Sequence, residues 1–251
     1  VTALHIARRE LGAILGTTIG WLVLAGFLLV NGVFFVSAFG WYSTTQADVM
    51  ADPYAQSSLN LGEHLLAPWF ANTSVVLILV CPALSMRLFA EERRQRTLEL
   101  LLTSPVSTAE IVVGKFLGAL TFVAVLLAGT LWAPLLLWAW STPDLGIVAA
   151  GYLALLLVGA TSLAMGSFMS SLTDSQVTAL VLTVTATLFV WVLPWLAGSS
   201  PDGWLQKVGL LTHVQEMMLG AIRASDLAYF ASFIGVSLFG AHQRVEAFRW
   251  S

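Results

Sequence analysis

Six long tracts without a charged residue, at 11–47, 64–86, 116–143, 145–173, 175–201 and 227–243, limit what this chain can fold into. A helix needs about 20 predominantly apolar residues to cross about 30 Å of hydrocarbon. Five tracts exceed that length, and the last, with 17 residues, reaches its lower limit. Barrel strands would alternate apolar and polar residues in segments of about ten, which these continuous runs do not. A water-soluble core is excluded as well, because the chain is 58% hydrophobic with a mean hydropathy of +0.85. That is more apolar surface than 251 residues bury in one core. The pattern predicts an all-α integral membrane protein, one domain over 1–251, with spans near 17–39, 66–88, 109–139, 146–170, 175–197 and 226–243. The first tract follows His5, Arg8 and Arg9 but is far longer than the apolar region of a signal peptide, so it reads as a retained helix.

Orientation follows from Lys and Arg rather than from the net charge of -3. With both termini cytoplasmic, Arg8, Arg9, Arg87, Arg93, Arg94, Arg96, Lys115, Arg244 and Arg249 lie inside, and Lys207 and Arg223 lie outside. The loop expected at 40–63 carries Asp48, Asp52 and Glu63 and no basic residue, which suits the outer face. Cys81 stands alone beside Pro82 and reads as a packing residue at a helix bend.

Shorter signals punctuate the spans. Leu4, Ala7, Leu11 and Ile14 or Leu15 share one face of an N-terminal helix with Arg8 and Arg9 opposite, as in a helix lying on the cytoplasmic interface. Ser107 with Glu110, and Thr173 with Gln176, have the spacing of capping boxes before the third and fifth spans. The region 202–224 is too polar to span and too apolar for water. Thr212 with Gln215, followed by Val214, Met217 or Met218, Ala221 and Ile222, predicts a short amphipathic helix in the outer interface.

Seven charges fall between Arg87 and Glu99: Arg87, Glu91, Glu92, Arg93, Arg94, Arg96 and Glu99. Each would cost about 2.5–3.5 kcal/mol at the centre of a membrane helix, so the segment belongs in the cytoplasm with its charges facing water. Glu92 and Arg96, and Glu91 and Arg94, have helical pairing distances. A positive-inside loop explains that much.

The string EERRQRTLELLLTSPVSTAEIVVGKFLGAL, from Glu91, resembles the signature of ABC-2 type permeases, particularly the gliding-motility-associated branch and its copper-maturation relatives. The stretch from Leu211 to Trp250 is similar to the end of that branch. The resemblance implies a type V exporter-like permease fold in the bacterial cytoplasmic membrane, paired with a second copy or a related permease on two cytoplasmic ABC ATPase subunits. ATP and Mg would be bound by those ATPases and no cofactor by this chain. It also implies a coupling segment at 87–105, in which Glu91, Glu92, Arg93, Arg94, Thr97 and Glu99 match the family string position by position. Arg96 departs from it, standing where the family commonly has Gly.

Other chemistry is poorly supplied. The one phosphate-loop candidate, at Gly114 and Lys115, has Ala109 and Phe116 where Gly and Ser or Thr are required. The spans read as free of buried Asp, Glu or Lys, which disfavours an ion-coupled carrier. His213 and Met217 lie four apart and form a weak soft-metal candidate, with Glu63 and His64 in the same outer region. Basic residues are too dispersed for nucleic acid. Two functions stay open: export driven by partner ATPases, and a non-transporting subunit that passes ATPase motion to a membrane-anchored extracytoplasmic partner.

Overall fold

The computed structural model describes residues 2–51, 60–94, 107–140, 143–196 and 204–247. Every regular element among them is helical, and six helical stretches are long and apolar enough to cross a membrane. They form an all-α bundle whose two ends are called here the basic end, carrying Arg87, Arg93 and Arg94, and the opposite end.

Helix α1 (Thr2–Leu15) meets α2 (Thr18–Ala51) at a tight corner. The Thr17 hydroxyl donates to the Ile14 carbonyl at 2.8 Å and accepts the Gly20 N–H at 3.3 Å, so one side chain serves both helix ends. Gly20 lies so close to the Ile14 carbonyl that no Cβ fits there. Helix α1 does not simply float on the interface. Added Cβ atoms on Gly114 and Gly118 would stand 2.8 Å from Ile6 and 2.6 Å from Glu10, so these glycines let α1 press onto the third span. The buried face therefore holds Ala7 and Ile14, while Leu4, expected on it, is exposed.

Helix α2 continues through residues 40–51, where a loop is expected. Its polar residues keep the helix going by bonding backwards: Ser43 and Thr44 donate to the Gly40 carbonyl, and Thr45 to that of Trp41. Its 34 residues rise about 51 Å, well past the hydrocarbon thickness. Most of α2 faces outward with lipid-compatible Trp21, Leu22, Leu29 and Val36, and Phe27, Asn31 and Phe35 hold it to the bundle. Buried Asn31 accepts the Thr73 hydroxyl at 2.6 Å and donates to the Phe27 carbonyl at 2.9 Å. Such an interhelical bond in a membrane contributes about 0.6 kcal/mol.

A π-helical turn (Gly62–Leu66) leads into α3 (Ala67–Ser85), and a further turn leads to the short α4 (Ala90–Arg94). The third span is α5 (Thr108–Ala128) followed by α6 (Trp132–Trp140). Pro134 has no N–H for the Thr130 carbonyl, which is taken instead by Ala133 at 3.1 Å, and the helix breaks there. The Tyr152 and Thr130 hydroxyls brace the break at 3.1 Å.

Helix α7 (Leu145–Leu172) is the centre of the bundle. Its buried face is rich in small residues, and partners enter where a Cβ is missing: the Phe70 ring at Gly151, Val123 at Gly159, Ser85 at Gly166. Close backbone approach substitutes for the hydrophobic drive that lipid does not provide. Helix α8 (Gln176–Leu196) completes the fifth span. At the opposite end, α9 (Trp204–Val208) and α10 (Leu210–Met218) fold back onto the bundle before α11 (Ala224–Ala247) crosses it.

Two expected caps are corrected. Helix α8 starts at Gln176, and Ser175 accepts the Thr178 N–H at 3.4 Å, so Ser175 rather than Thr173 caps it. Thr173 instead accepts the Ser175 N–H at 3.2 Å. Thr212 lies inside α10, whose cap is Gly209, a residue without a side chain and pressed against the Pro194 ring. Leu210, Leu211, Val214, Met217 and Met218 form the buried stripe of α10, and Ile222 is exposed. The helix ends in a Schellman motif, with Ala221 N–H on the Glu216 carbonyl, Gly220 N–H on that of Met217, and Gly220 at φ 92°.

Candidate functional site

The described part of the charged segment after α3, up to Arg94, is bound to three other elements rather than suspended in water. Short helix α4 leaves its first N–H groups without intrahelical partners. Ser170, near the end of α7, supplies the cap: its hydroxyl oxygen accepts the Phe89 and Ala90 N–H groups at 3.1 and 3.0 Å and donates to the Met86 carbonyl at 3.1 Å. Arg93 then reaches the turn between α7 and α8, where its guanidinium meets Asp174 at 2.5 Å and donates to the Ser171 carbonyl at 3.1 Å.

Glu92 departs from expectation. It pairs at 2.7 Å with Lys115, eighth residue of α5, and the two side chains are only 24% and 6% exposed. The Lys115 ammonium also donates to the Leu88 carbonyl at 2.8 Å and lies 5.5 Å from the Phe89 ring centroid. The spans thus do hold a buried cation, compensated on three sides. The opposite end adds a buried carboxylate at Asp226.

Around this joint lies a cavity of about 370 Å³ between α1, α3, α4 and α5, with Arg9, Glu10, Arg87, Glu91, Glu92 and Lys115 in its wall. Glu91 is half-buried and Arg94 exposed. Thr97 and Glu99 lie outside the described residues, as does the rest of the expected coupling segment beyond Arg94. At the start of α5, Ser107 and Glu110 form a reciprocal cap. The Glu110 N–H donates to the Ser107 hydroxyl at 3.2 Å, and the Glu110 carboxylate accepts the Ser107 N–H at 3.2 Å. Residues of α4, α5, α7 and the α7–α8 turn are therefore tied together at the basic end.

Sequence reasoning did not find Ser170, Ser171, Asp174 or Lys115. Only Gly114 and Gly118 left a usable signal, the G-x-x-x-G spacing of close helix contact.

The weak metal candidates are otherwise engaged. His213 Nε2 faces the Lys207 carbonyl at 3.0 Å and Nδ1 faces Asp226 Oδ1 at 2.7 Å, so neither ring nitrogen offers a lone pair outward. Met217 is fully buried in the core. His64 turns back to the Asn60 carbonyl at 3.2 Å.

Residues 4–222 match the family described as ABC-2 family transporter protein. The chain is also 29% identical over 132 residues to the probable multidrug ABC transporter permease YbhR of Escherichia coli K12, and equally to that of Escherichia coli O157:H7. The alignment covers 50% of this chain and 33% of each relative, so the matched stretch spans about a third of their length.

Proposed function

The chain belongs to the ABC-2 family of transporter membrane proteins, and from that premise we propose that it is a permease subunit coupling ATP hydrolysis on separate cytoplasmic ATPases to export. In this reading the basic end faces the cytoplasm of a bacterial inner membrane, two permease copies or related chains associate with two ATPases, and α4 with the residues after it forms the docking surface. The narrower placement in the gliding-motility-associated or copper-maturation branch rests on the string that begins at Glu91 and on the stretch that ends at Trp250. The likeness to a probable multidrug permease favours transport of a cargo over a purely mechanical role.

The observation that carries the coupling role is the joint itself. A loop that only obeyed the positive-inside rule would need no Ser170 cap, no Arg93 link to Asp174 and no buried Glu92–Lys115 pair. These contacts make α4 a rigid handle on the spans, while Arg94 stays exposed for a partner.

Reversing Arg94 to Glu tests the docking without touching the joint. Truncating one partner of a desolvated charge contact costs about 2–5 kcal/mol, whereas a solvated charge contributes well under 1 kcal/mol. Pull-down of the cognate ATPase at moderate salt should therefore drop sharply for R94E. Arg93→Gln should leave docking intact but lower the stimulation of ATPase activity by the permease. Unchanged binding in R94E together with unchanged stimulation in R93Q would remove the support for this reading.

A further inference from the structure

A groove of about 590 Å³ runs along α11 at the opposite end, beside the α9–α10 hairpin. Its wall extends from Ser225 to Ser237, a rise of about 18 Å along the helix, close to the thickness of one leaflet. The mouth and the floor differ in chemistry. Lys207 and His213 stand at the mouth. His213 is paired with Asp226 and nearby Arg223 with Glu216 at 2.5 Å, so among the described residues of this hairpin Lys207 is the cation without an ion pair. Tyr229 forms a wall rather than a ligand: its ring stacks on His213 at 4.2 Å and its hydroxyl is committed to the Val208 carbonyl at 2.7 Å. Further along, small Ser232 leaves space, and its hydroxyl is bonded at 2.7 Å to the Ala228 carbonyl of its own helix. The lining there is Phe233, the outward-facing Val236 and the buried Ser237, so most of the surface it offers is apolar.

A cation above a leaflet-deep apolar channel is complementary to one molecule of an anionic phospholipid, and we propose that this groove holds such a lipid, its phosphate at Lys207 and an acyl chain along Ser232 and Val236. A helix of a second copy would fill the apolar part but leave the ammonium uncompensated. The assignment does not depend on what the chain transports.

The test uses the full chain in nanodiscs of phosphatidylcholine mixed with phosphatidylglycerol, with the lipid that stays bound after release counted by native mass spectrometry. Wild type should retain phosphatidylglycerol over phosphatidylcholine by about fivefold, the effect expected of one lysine near a membrane surface. Lys207→Gln should bring the ratio near unity and Lys207→Arg preserve it. Ser232→Phe, which fills the channel and leaves Lys207 in place, should lower the total number of retained lipids. Equal retention of both lipids by wild type overturns the proposal, as does efficient disulfide crosslinking of two Ser232→Cys copies, which would place a second chain in the groove.

Discussion

At the basic end Lys115 is buried against Glu92, and Arg94 remains at the surface; at the opposite end Asp226 is buried against His213, whose ring stacks on Tyr229. Both pairs tie a short element to a long helix. The opposite-end pair closes a fold: His213 Nε2–H and the Tyr229 hydroxyl satisfy the terminal carbonyls of α9, Lys207 and Val208, which that five-residue helix leaves open. The basic-end pair holds a helix whose outer side keeps its charge. The same interaction serves closure in one place and, on the proposed reading, transmission in the other. What separates them is the short element each pair holds: α4 presents Arg94 at the surface, whereas α10 lies with its Leu210, Val214 and Met217 face buried against the bundle.

The largest effect should come from Lys115→Met. Removing one partner of a buried pair leaves the other charge uncompensated and costs about 3–5 kcal/mol, whereas replacing both with neutral groups is often nearly neutral. Unfolding in mixed micelles should show K115M strongly destabilised and the double variant Lys115→Met with Glu92→Gln largely recovered. A double variant as unstable as the single one would mean that the Lys115 contacts to Leu88 and Phe89, rather than the ion pair, hold the joint.

Asp226→Asn is expected to come next, at about 1.5–3 kcal/mol, the value of a hydrogen bond to a charged group. It sharpens the comparison because the loss should appear in stability alone, with permease-stimulated ATPase activity normalised to folded protein unchanged. A selective loss of stimulation would place the His213–Asp226 clasp in the moving parts and erase the distinction between the two ends.

The six spans were legible because burial in lipid demands length and apolarity over one continuous stretch, a requirement written locally. The Ser107–Glu110 pattern could be read for the same reason, since both halves lie within one turn. Thr173 and Ser175 show the limit of such patterns. Two hydroxyls two residues apart each have a plausible partner three residues on, and only the backbone entering α8 selects Ser175. The extension of α2 was hidden because Ser43, Thr44 and Thr45 look like loop residues until their hydroxyls are seen bonded to carbonyls of their own helix. Lys115 was hidden differently. Its partner is 23 positions away, and nothing in either local sequence says that α4 and α5 meet. Read alone, Glu92 belongs to a solvated charge run, and only the packing of α5 against the segment after α3 takes it out of water.

The smallest perturbation asks which end is inside. Arg94 and Asp144 are both exposed and lie at the two ends of the bundle, with Asp144 capping α7 through the Gly146 N–H at 2.8 Å. Surface substitutions usually change stability by no more than about 0.5 kcal/mol, though loss of a cap adds about 1 kcal/mol, so Arg94→Cys and Asp144→Cys should both fold. Cys81 is fully buried and needs only replacement by Ala to clear the background. In intact cells a membrane-impermeant maleimide should modify the cysteine at 144 and reach the one at 94 only after permeabilisation. The opposite pattern would put Arg93, Arg94 and Lys115 outside, against the bias of Lys and Arg toward the cytoplasm. It would also deny α4 any access to a cytoplasmic ATPase, and the basic-end joint would then have to be explained as structure alone. Labelling of both positions in intact cells would break the six-span arrangement between them, because among the described residues α5 with α6 is the one crossing that separates residue 94 from residue 144.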